Sequence, residues 1–401
     1  MIASNKRLST GSNLLSSHES PAPLLFLDHA PALGGAERSL LLLLKHIDPT
    51  RWQPHLACAG GPLAEKAAAL GVAVHRLPMP RLRRSPRFLA DWLAGARSIA
   101  RLARETNAAL LVANTVRAAF YAAPAARMAR VPFVWHMRDF WLSESRPRHL
   151  WADRVGKRLL CATATRVIAN SRATAAHLPC SGKVSVVHNG IEVERYDPKI
   201  DGTPFRRRYS IPINAPLVGT VGRLRPWKGQ DRFLRVLARV RETVPEAWGV
   251  VVGGTPFGVE DDYPERLRHL AADLGLDGHV VFTGHLKDVR PPLAAMDIFV
   301  HPGDPEPFGL VVVEAMAMGK PVVAFAHGAL PEIVVDGETG RLVEPGDEEA
   351  LAGAIAAILE EPDLRLEMGQ VGRRRAIRNF DIQRTAEKVQ ALYAGVLEDA
   401  S

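Results

Sequence analysis

Apolar positions along this chain alternate between two rhythms. Short runs rich in Val, Leu and Phe are bounded by Gly, Pro, Asn or Asp, as buried strands are. Longer segments between them repeat their apolar positions at helical spacing. In the front half the strand-like runs are LLFLDH (24–29), PHLACA (54–59), VAVHRL (72–77), ALLVAN (109–114), PFVWHM (132–137), RVIANS (166–171) and VSVVHN (184–189). In the back half they are LVGTVG (217–222), WGVVVGG (248–254), HVVFTG (279–284), DIFVHP (297–302), PVVAF (321–325) and GRLVEP (340–345). Helical runs include AERSLLLLLKHI (36–47), GQDRFLRVLARVRE (229–242) and GLVVVEAMAM (309–318). This alternation predicts an α/β protein with two parallel, doubly wound sheets, each binding ligands at the carboxyl ends of its strands.

The pattern lapses between 195 and 216, a stretch rich in Pro, Asp and Gly with no clear period. A boundary there separates a front domain, 23–200, from a back domain, 201–380. After about 346 only helical periodicity remains, and a last helix, 381–401, is expected to pack back towards the front domain. The first 22 residues are polar and Ser-rich, without an apolar core of signal-peptide length, and read as a disordered lead-in.

Composition changes this picture little. A length of 401 residues suits two domains, and 47% hydrophobic with 23% charged residues is ordinary for a globular chain. No run of roughly 18 apolar residues occurs, so no membrane-spanning helix is expected. Three cysteines, Cys58, Cys161 and Cys180, stand far apart without metal-ligand spacing. They suggest a reducing cytoplasm and no disulfide framework.

Charge adds more. Residues 1–200 hold 28 Lys/Arg against 13 Asp/Glu, a balance of +15, and residues 201–401 hold 23 against 30, a balance of −7. The front half therefore favours an acidic partner: an anionic membrane, an anionic substrate or nucleic acid. The segment RLRRSPRFLADWLAGARSIARLARE (81–105) is amphipathic, with Arg97, Arg101 and Arg104 at i, i+4, i+7. It fits a helix lying on an anionic membrane and equally a core-facing helix with a solvated basic face. Basic residues without interleaved aromatics or a recognisable motif argue against nucleic acid.

Candidate chemistry sits at strand ends. In GTVGRLRPWKGQ (219–230) a strand ends at Gly222, Arg223 follows, and Lys228 precedes a helix. Arg offers a planar fork for phosphate, Lys a point charge and the helix start free amides. Arg225 competes for the Arg role, and a merely solvated basic loop would look the same. In EPFGLVVVEAMAMG (306–319) two glutamates lie eight residues apart. The proline after Glu306 biases it to an extended backbone, and Gly309 opens the helix with the amides of Gly309 and Leu310 pointing outward. Glu314 lies about 7–8 Å further along the axis. That separation fits two hydroxyl-binding jobs on one elongated ligand better than the paired carboxylates of a glycosidase. A helix-dipole carboxylate at Glu306 and a satisfied buried Glu314 are the structural alternatives. Gly34 and Gly35 permit close backbone approach to a phosphate or sugar, although the Rossmann dinucleotide fingerprint is missing from both halves. His136, in VWHMRDF (134–140), ends a strand with Arg138 and Asp139 as polar neighbours, and a structural histidine is the alternative there. The chain contains no DxD, HExxH, CxxC or GxSxG.

Together these stretches resemble the family-4 glycosyltransferases of the GT-B fold. The likeness rests on GGAE (34–37), VIANS (167–171), HNGIEVERY (188–196), GRLRPWKG (222–229), GDPEPFGLVVVEAMAMGKPVVA (303–324) and LPEIVVDGETGRLVEPGD (330–347). It departs at HGALPE (327–332), where the family often carries a further glycine. The resemblance implies a retaining, metal-independent hexosyltransferase using a UDP-sugar or GDP-mannose. It implies a glycan, lipid-linked or small-molecule acceptor, and work in cell-envelope or polysaccharide synthesis. It assigns Arg223 and Lys228 to the diphosphate, Glu306 with the backbone of Phe308, Gly309 and Leu310 to sugar and phosphate, and Glu314 to the ribose. It sets Gly222 beside the phosphates, Gly284, His285 and Leu286 by the base, Gly34 and Gly35 by phosphate or acceptor, and His136 near the sugar. No cofactor is implied beyond the nucleotide sugar. The expected location is cytoplasmic, peripheral on the inner face of the membrane. A GT-B sugar-nucleotide epimerase and a non-catalytic nucleotide-sugar-binding subunit are the competing readings.

Overall fold

A computed structural model describes residues 20–30, 32–80, 87–140, 150–255 and 262–400. Nearly all of the expected N-terminal lead-in, and the start of the basic run at 81–86, lie outside the described residues.

The first domain runs β1 (Ala22–Leu27), α1 (Gly35–Lys45), β2 (Trp52–Cys58), α2 (Pro62–Ala69), β3 (Ala73–Arg76), α3 (Phe88–Glu105), β4 (Leu110–Ala113), α4 (Val116–Ala129), β5 (Phe133–Met137), α5 (Leu150–Thr163), β6 (Arg166–Ala169), α6 (Arg172–Ala176) and β7 (Val184–Val186). Among the described residues its strands form one parallel sheet in the order β3-β2-β1-β4-β5-β6-β7. The strands lie where the apolar runs place them because each is buried on both faces, as in Leu24–Leu27 and Leu110–Ala113. Helices α3, α4 and α5 cover one face. Ile99, Tyr121 and Leu160 pack there on Leu25, Leu111 and Trp135.

The second domain runs α7 (Thr203–Arg208), β8 (Leu217–Val221), α8 (Gln230–Thr243), β9 (Trp248–Val252), α9 (Tyr263–Asp273), β10 (Val280–Gly284), α10 (Arg290–Ala295), β11 (Ile298–His301), α11 (Leu310–Ala317), β12 (Val322–Phe325), α12 (Leu330–Ile333), β13 (Gly340–Val343), α13 (Glu348–Glu360) and α14 (Pro362–Asn379). Its sheet is also parallel, ordered β10-β9-β8-β11-β12-β13. The last helix, α15 (Ile382–Glu398), leaves this domain and packs on the first. Tyr393 is the anchor. It is fully buried and meets Phe26 and Trp52 edge-on at 6.3 and 6.2 Å. Gly190 lets the crossing happen, since a Cβ there would lie 2.5 Å from the Ile382 backbone.

Two readings of the sequence are refined. On α3 Ala96, Ile99, Ala100 and Ala103 pack in the core, Phe88, Trp92 and Leu93 are half-buried, Leu89 is exposed, and Arg97, Arg101 and Arg104 face solvent. The expectation of no disulfide is corrected: Cys161 and Cys180 are bonded. Cys161 ends α5 and Cys180 leads into β7, so the intervening strand and helix return the chain to the same sheet edge. Sequence separation alone hid that proximity. Among the described residues no helix is long and apolar enough to cross a membrane.

Candidate active site

Each sheet reverses its strand order once, between β1 and β4 in the first domain and between β8 and β11 in the second. Crevices outside the strand ends form at such reversals. In the second domain the crevice is floored by glycine. Gly222 N–H donates to Val252 O at 2.9 Å and Leu224 N–H to Gly254 O at 3.1 Å. Gly253 has φ +149°, and a Cβ there would sit 1.8 Å from Gly222 O. No other residue fits that approach. Gly284, His285 and Leu286 continue this ledge along the next strand end, with Gly253 N–H donating to Gly284 O at 3.1 Å.

Above the ledge stand the charged groups. Lys228 closes a single 3-10 turn before α8 and contacts the Glu306 carboxylate directly. His301, the last residue of β11, places Nε2 3.3 Å from the same oxygen. Burial pushes the Glu306 carboxyl up, but Lys228 and His301 outweigh burial and hold it well below the usual carboxylate range. Glu306 is therefore an anion, and its backbone is fixed from behind. Ala329 N–H donates to Glu306 O at 2.9 Å, and Gly328 lies too close to the Glu306 backbone for a Cβ. Arg223 is exposed at the crevice, whereas Arg225 lies 5.9 Å over the Trp227 ring. Of the two arginines, Arg223 is the one whose charge acts on Asp139 across the cleft.

Gly309, at φ +93°, starts α11 with free amides. The Phe308 ring turns onto His188 and Phe380, so that only its backbone is left to the expected sugar and phosphate contact. One turn on, Glu314 is 2% exposed. Its Oε1 accepts from Arg38 of α1 at 2.9 Å, and its Oε2 has no partner among the described residues. The two glutamates thus have separate partners. Beside Glu314, burial and then the carboxylate itself push the Tyr196 hydroxyl upward.

The first domain presents a different edge. Asp28, Asn114 and Arg138 follow the ends of β1, β4 and β5. Arg138 Nε donates to Asn114 Oδ1 at 2.6 Å, its Nη1 to Asn189 Oδ1 at 2.6 Å, and its Nη2 sits 2.9 Å from His136 Nδ1. Asn114 Nδ2 donates to Asp28 Oδ2 at 2.7 Å. Burial lowers the Arg138 guanidinium to about 10 and, with the Glu37 charge behind it, raises the Asp28 carboxyl to about 7. His136 is 2% exposed, and its Nε2 lies 2.8 Å from the Tyr393 hydroxyl. Burial, then Arg138, keeps it neutral. The structure does not bring His136 to the Glu306 cluster. Asp139, three residues on, is nearer: loss of water, then the Glu306 charge, pushes its carboxyl upward.

The two edges face each other through contacts the sequence reading missed. Gly35 lies against Leu310, where a Cβ would be 4.0 Å from Cδ1. Arg38 reaches Glu314. The Glu332 carboxylate of α12 accepts from the Arg172 and Ala173 amides at 2.8 and 2.9 Å and contacts His188 at 2.8 Å. His301 was legible, since it ends a strand as Gly222 does. Arg38 and Glu332 carried no signal, because each pairs across domains with a residue remote in sequence.

Two doubly wound domains meeting at their strand ends define the GT-B architecture. Comparison with known proteins agrees. Residues 33–195 match the model of Glycosyltransferase Family 4, and residues 202–375 that of Glycosyl transferases group 1. A D-inositol 3-phosphate glycosyltransferase of Corynebacterium efficiens is 37% identical over 221 residues, 53% of this chain and 51% of that protein. The lipopolysaccharide core biosynthesis mannosyltransferase LpsB of Rhizobium meliloti is 31% identical over 264 residues, 65% of this chain and 73% of that protein. The crystal structure of Anabaena Alr3699/HepE in complex with UDP-glucose superposes with a TM-score of 0.81 at 29% identity, covering 93% of this chain and 99% of that one. The chain belongs to glycosyltransferase family 4. It spans about half the length of the inositol-phosphate relative.

Proposed function

We propose that this protein transfers a sugar, with retention of anomeric configuration, from a nucleoside-diphosphate sugar to an acceptor hydroxyl. One observation carries the reading: Lys228, Glu306 and the amides of α11 converge at the β8–β11 reversal, and exposed Arg223 stands beside them. Arg223, Lys228 and the amides receive the charge that grows on the leaving diphosphate, which is electrostatic preorganisation without a metal. Glu306 accepts from sugar hydroxyls, and the buried, unpartnered Oε2 of Glu314 accepts from the ribose. The bond from the anomeric carbon to phosphate breaks, the acceptor oxygen bonds on the same face, and its proton passes to the leaving phosphate. Domain closure keeps water out.

The UDP-glucose complex of the HepE structure supports a UDP-sugar, and a Mycolicibacterium smegmatis relative, 35% identical over 216 residues and named a GDP-mannose-dependent mannosyltransferase, supports GDP-mannose. The acceptor is a glycan, lipid-linked sugar or small molecule, and the basic front half adds an anionic membrane as partner. A thermal-shift screen of nucleoside diphosphates and nucleotide sugars tests the donor site, because a ligand of the folded state raises its stability. One nucleotide should stabilise the protein, and its sugar conjugate should yield a glycosylated product. Stabilisation without any product would favour the binding-subunit reading, and an isomerised donor sugar would favour the epimerase.

A further inference from the structure

Helix α5 carries an exposed face that the transfer reaction does not use. Trp151, Val155 and Leu159 recur at i, i+4, i+8 and are 70, 56 and 48% exposed. Such a row is a continuous apolar stripe along one helix side. Arg154 and Arg158 are exposed beside it on the same side. The only acid of α5, Asp153, is turned inward, with Oδ2 3.2 Å from the buried Lys157 ammonium. Neighbouring α4 contains no acid and exposes Arg127 and Met128. Among the described residues, α4 and α5 are thus apolar and cationic on this outer side and expose no carboxylate. Isolated apolar residues on a surface are ordinary, but an aligned stripe with flanking cations is the pattern of a helix lying in a lipid interface.

The orientation matters. Thr165 N–H donates to Phe133 O at 2.8 Å, so α5 ends at the start of β5 and begins on the cleft side of the sheet. Trp151 therefore stands at the cleft end. We propose that the α5 face docks on an anionic membrane, with Trp151 set in the interface and Arg154 and Arg158 against lipid phosphates. This brings the cleft mouth to the lipid surface and favours an acceptor carried by a lipid. The inference rests on the membrane-partner reading above and replaces α3 by α5 as the contact. α3 buries Ile99 and Leu102 and leaves one large apolar side chain, Leu89, exposed, against three on α5.

The test is sedimentation of the full chain with phosphatidylcholine vesicles, with and without phosphatidylglycerol. Wild type should pellet only with the anionic vesicles and be released by salt. Trp151→Ser with Val155→Ser should weaken binding about ten-fold. Arg154→Gln with Arg158→Gln should weaken it by about five-fold per arginine. Arg97→Gln with Arg101→Gln and Arg104→Gln should change it less than either pair. Nucleotide-induced stabilisation, measured on every variant, should persist and shows that each is folded. If the α5 variants bind like wild type while the α3 variant lets go, the docking face is wrong and the membrane reading stands. If wild type ignores both vesicles, both fail, and donor binding is untouched. A dimer in light scattering that Trp151→Ser dissolves would assign the face to a second copy and overturn the proposal.

Discussion

The two sheets share one winding scheme, yet their strand ends are finished differently. In the second domain the charges face the crevice: Arg223 is exposed, and Lys228 meets Glu306 at the surface of the cleft. In the first domain the guanidinium of Arg138 is locked onto Asn114, Asn189 and His136, and Asp28 is fully buried. One edge sets an exposed guanidinium and an ion pair at the cleft, and the other spends its polar groups on itself. A common fold therefore does not make the two crevices equivalent, since function lies in the residues placed at the ends. On the proposed reading the second crevice takes the donor diphosphate, and the first offers the acceptor a rigid wall.

The largest effect that sharpens this contrast is Lys228→Ala. It removes a cation from the developing leaving-group charge, and turnover should fall about 10²–10³-fold. It also strips Glu306 of its counterion, so a lower melting temperature should accompany the loss. Near-normal turnover would break the comparison at its stronger side. Next is Arg138→Leu, which takes the donor away from Asn114 Oδ1, Asn189 Oδ1 and His136 Nδ1 in the interior. We expect a loss of about 3 kcal/mol in denaturant unfolding, with nucleotide affinity of the folded protein unchanged. A smaller change is expected for Glu314→Gln: donor KM should rise about ten-fold with kcat nearly kept, because an acceptor of ribose hydroxyls loses its charge.

A further effect is a pH slope. The Asp28 carboxyl is raised to about 7 from an ordinary 3.8. Between those values the folded state holds a proton that the unfolded chain has lost, so this group makes stability fall as pH rises from about 4 to 7. Asp28→Asn should flatten that part of the stability profile. An unchanged slope would mean that Asp28 does not hold the proton.

Much of the fold was readable because buried parallel strands are nearly pure Val, Leu, Ile and Phe, and glycine marks their ends. The grouping of the candidate donor residues was readable for the same reason: Arg223, Lys228, Glu306, Gly309 and Glu314 lie within two short stretches with positional logic. His136 shows the limit. Its place at a strand end suggested a ligand, but the partner that claims its ring, Tyr393, arrives from the last helix. Asp139 was named only as its neighbour, and the fold turns that residue towards Glu306. Arg38–Glu314, Glu332 on α6 and Cys161–Cys180 all join residues that only the tertiary structure sets side by side. The stripe on α5 escaped because Trp151, Val155 and Leu159 have the spacing of a core face, and burial alone distinguishes the two.

The central claim is that the second domain's strand ends receive the donor diphosphate. Calorimetric titration of UDP and GDP into wild type and Lys228→Ala addresses it most directly. The account predicts that one of the two binds wild type and that the substitution weakens it by about ten-fold or more, as loss of a charge-assisted contact should. Equal affinity in both proteins, or no binding of either nucleotide, would contradict it.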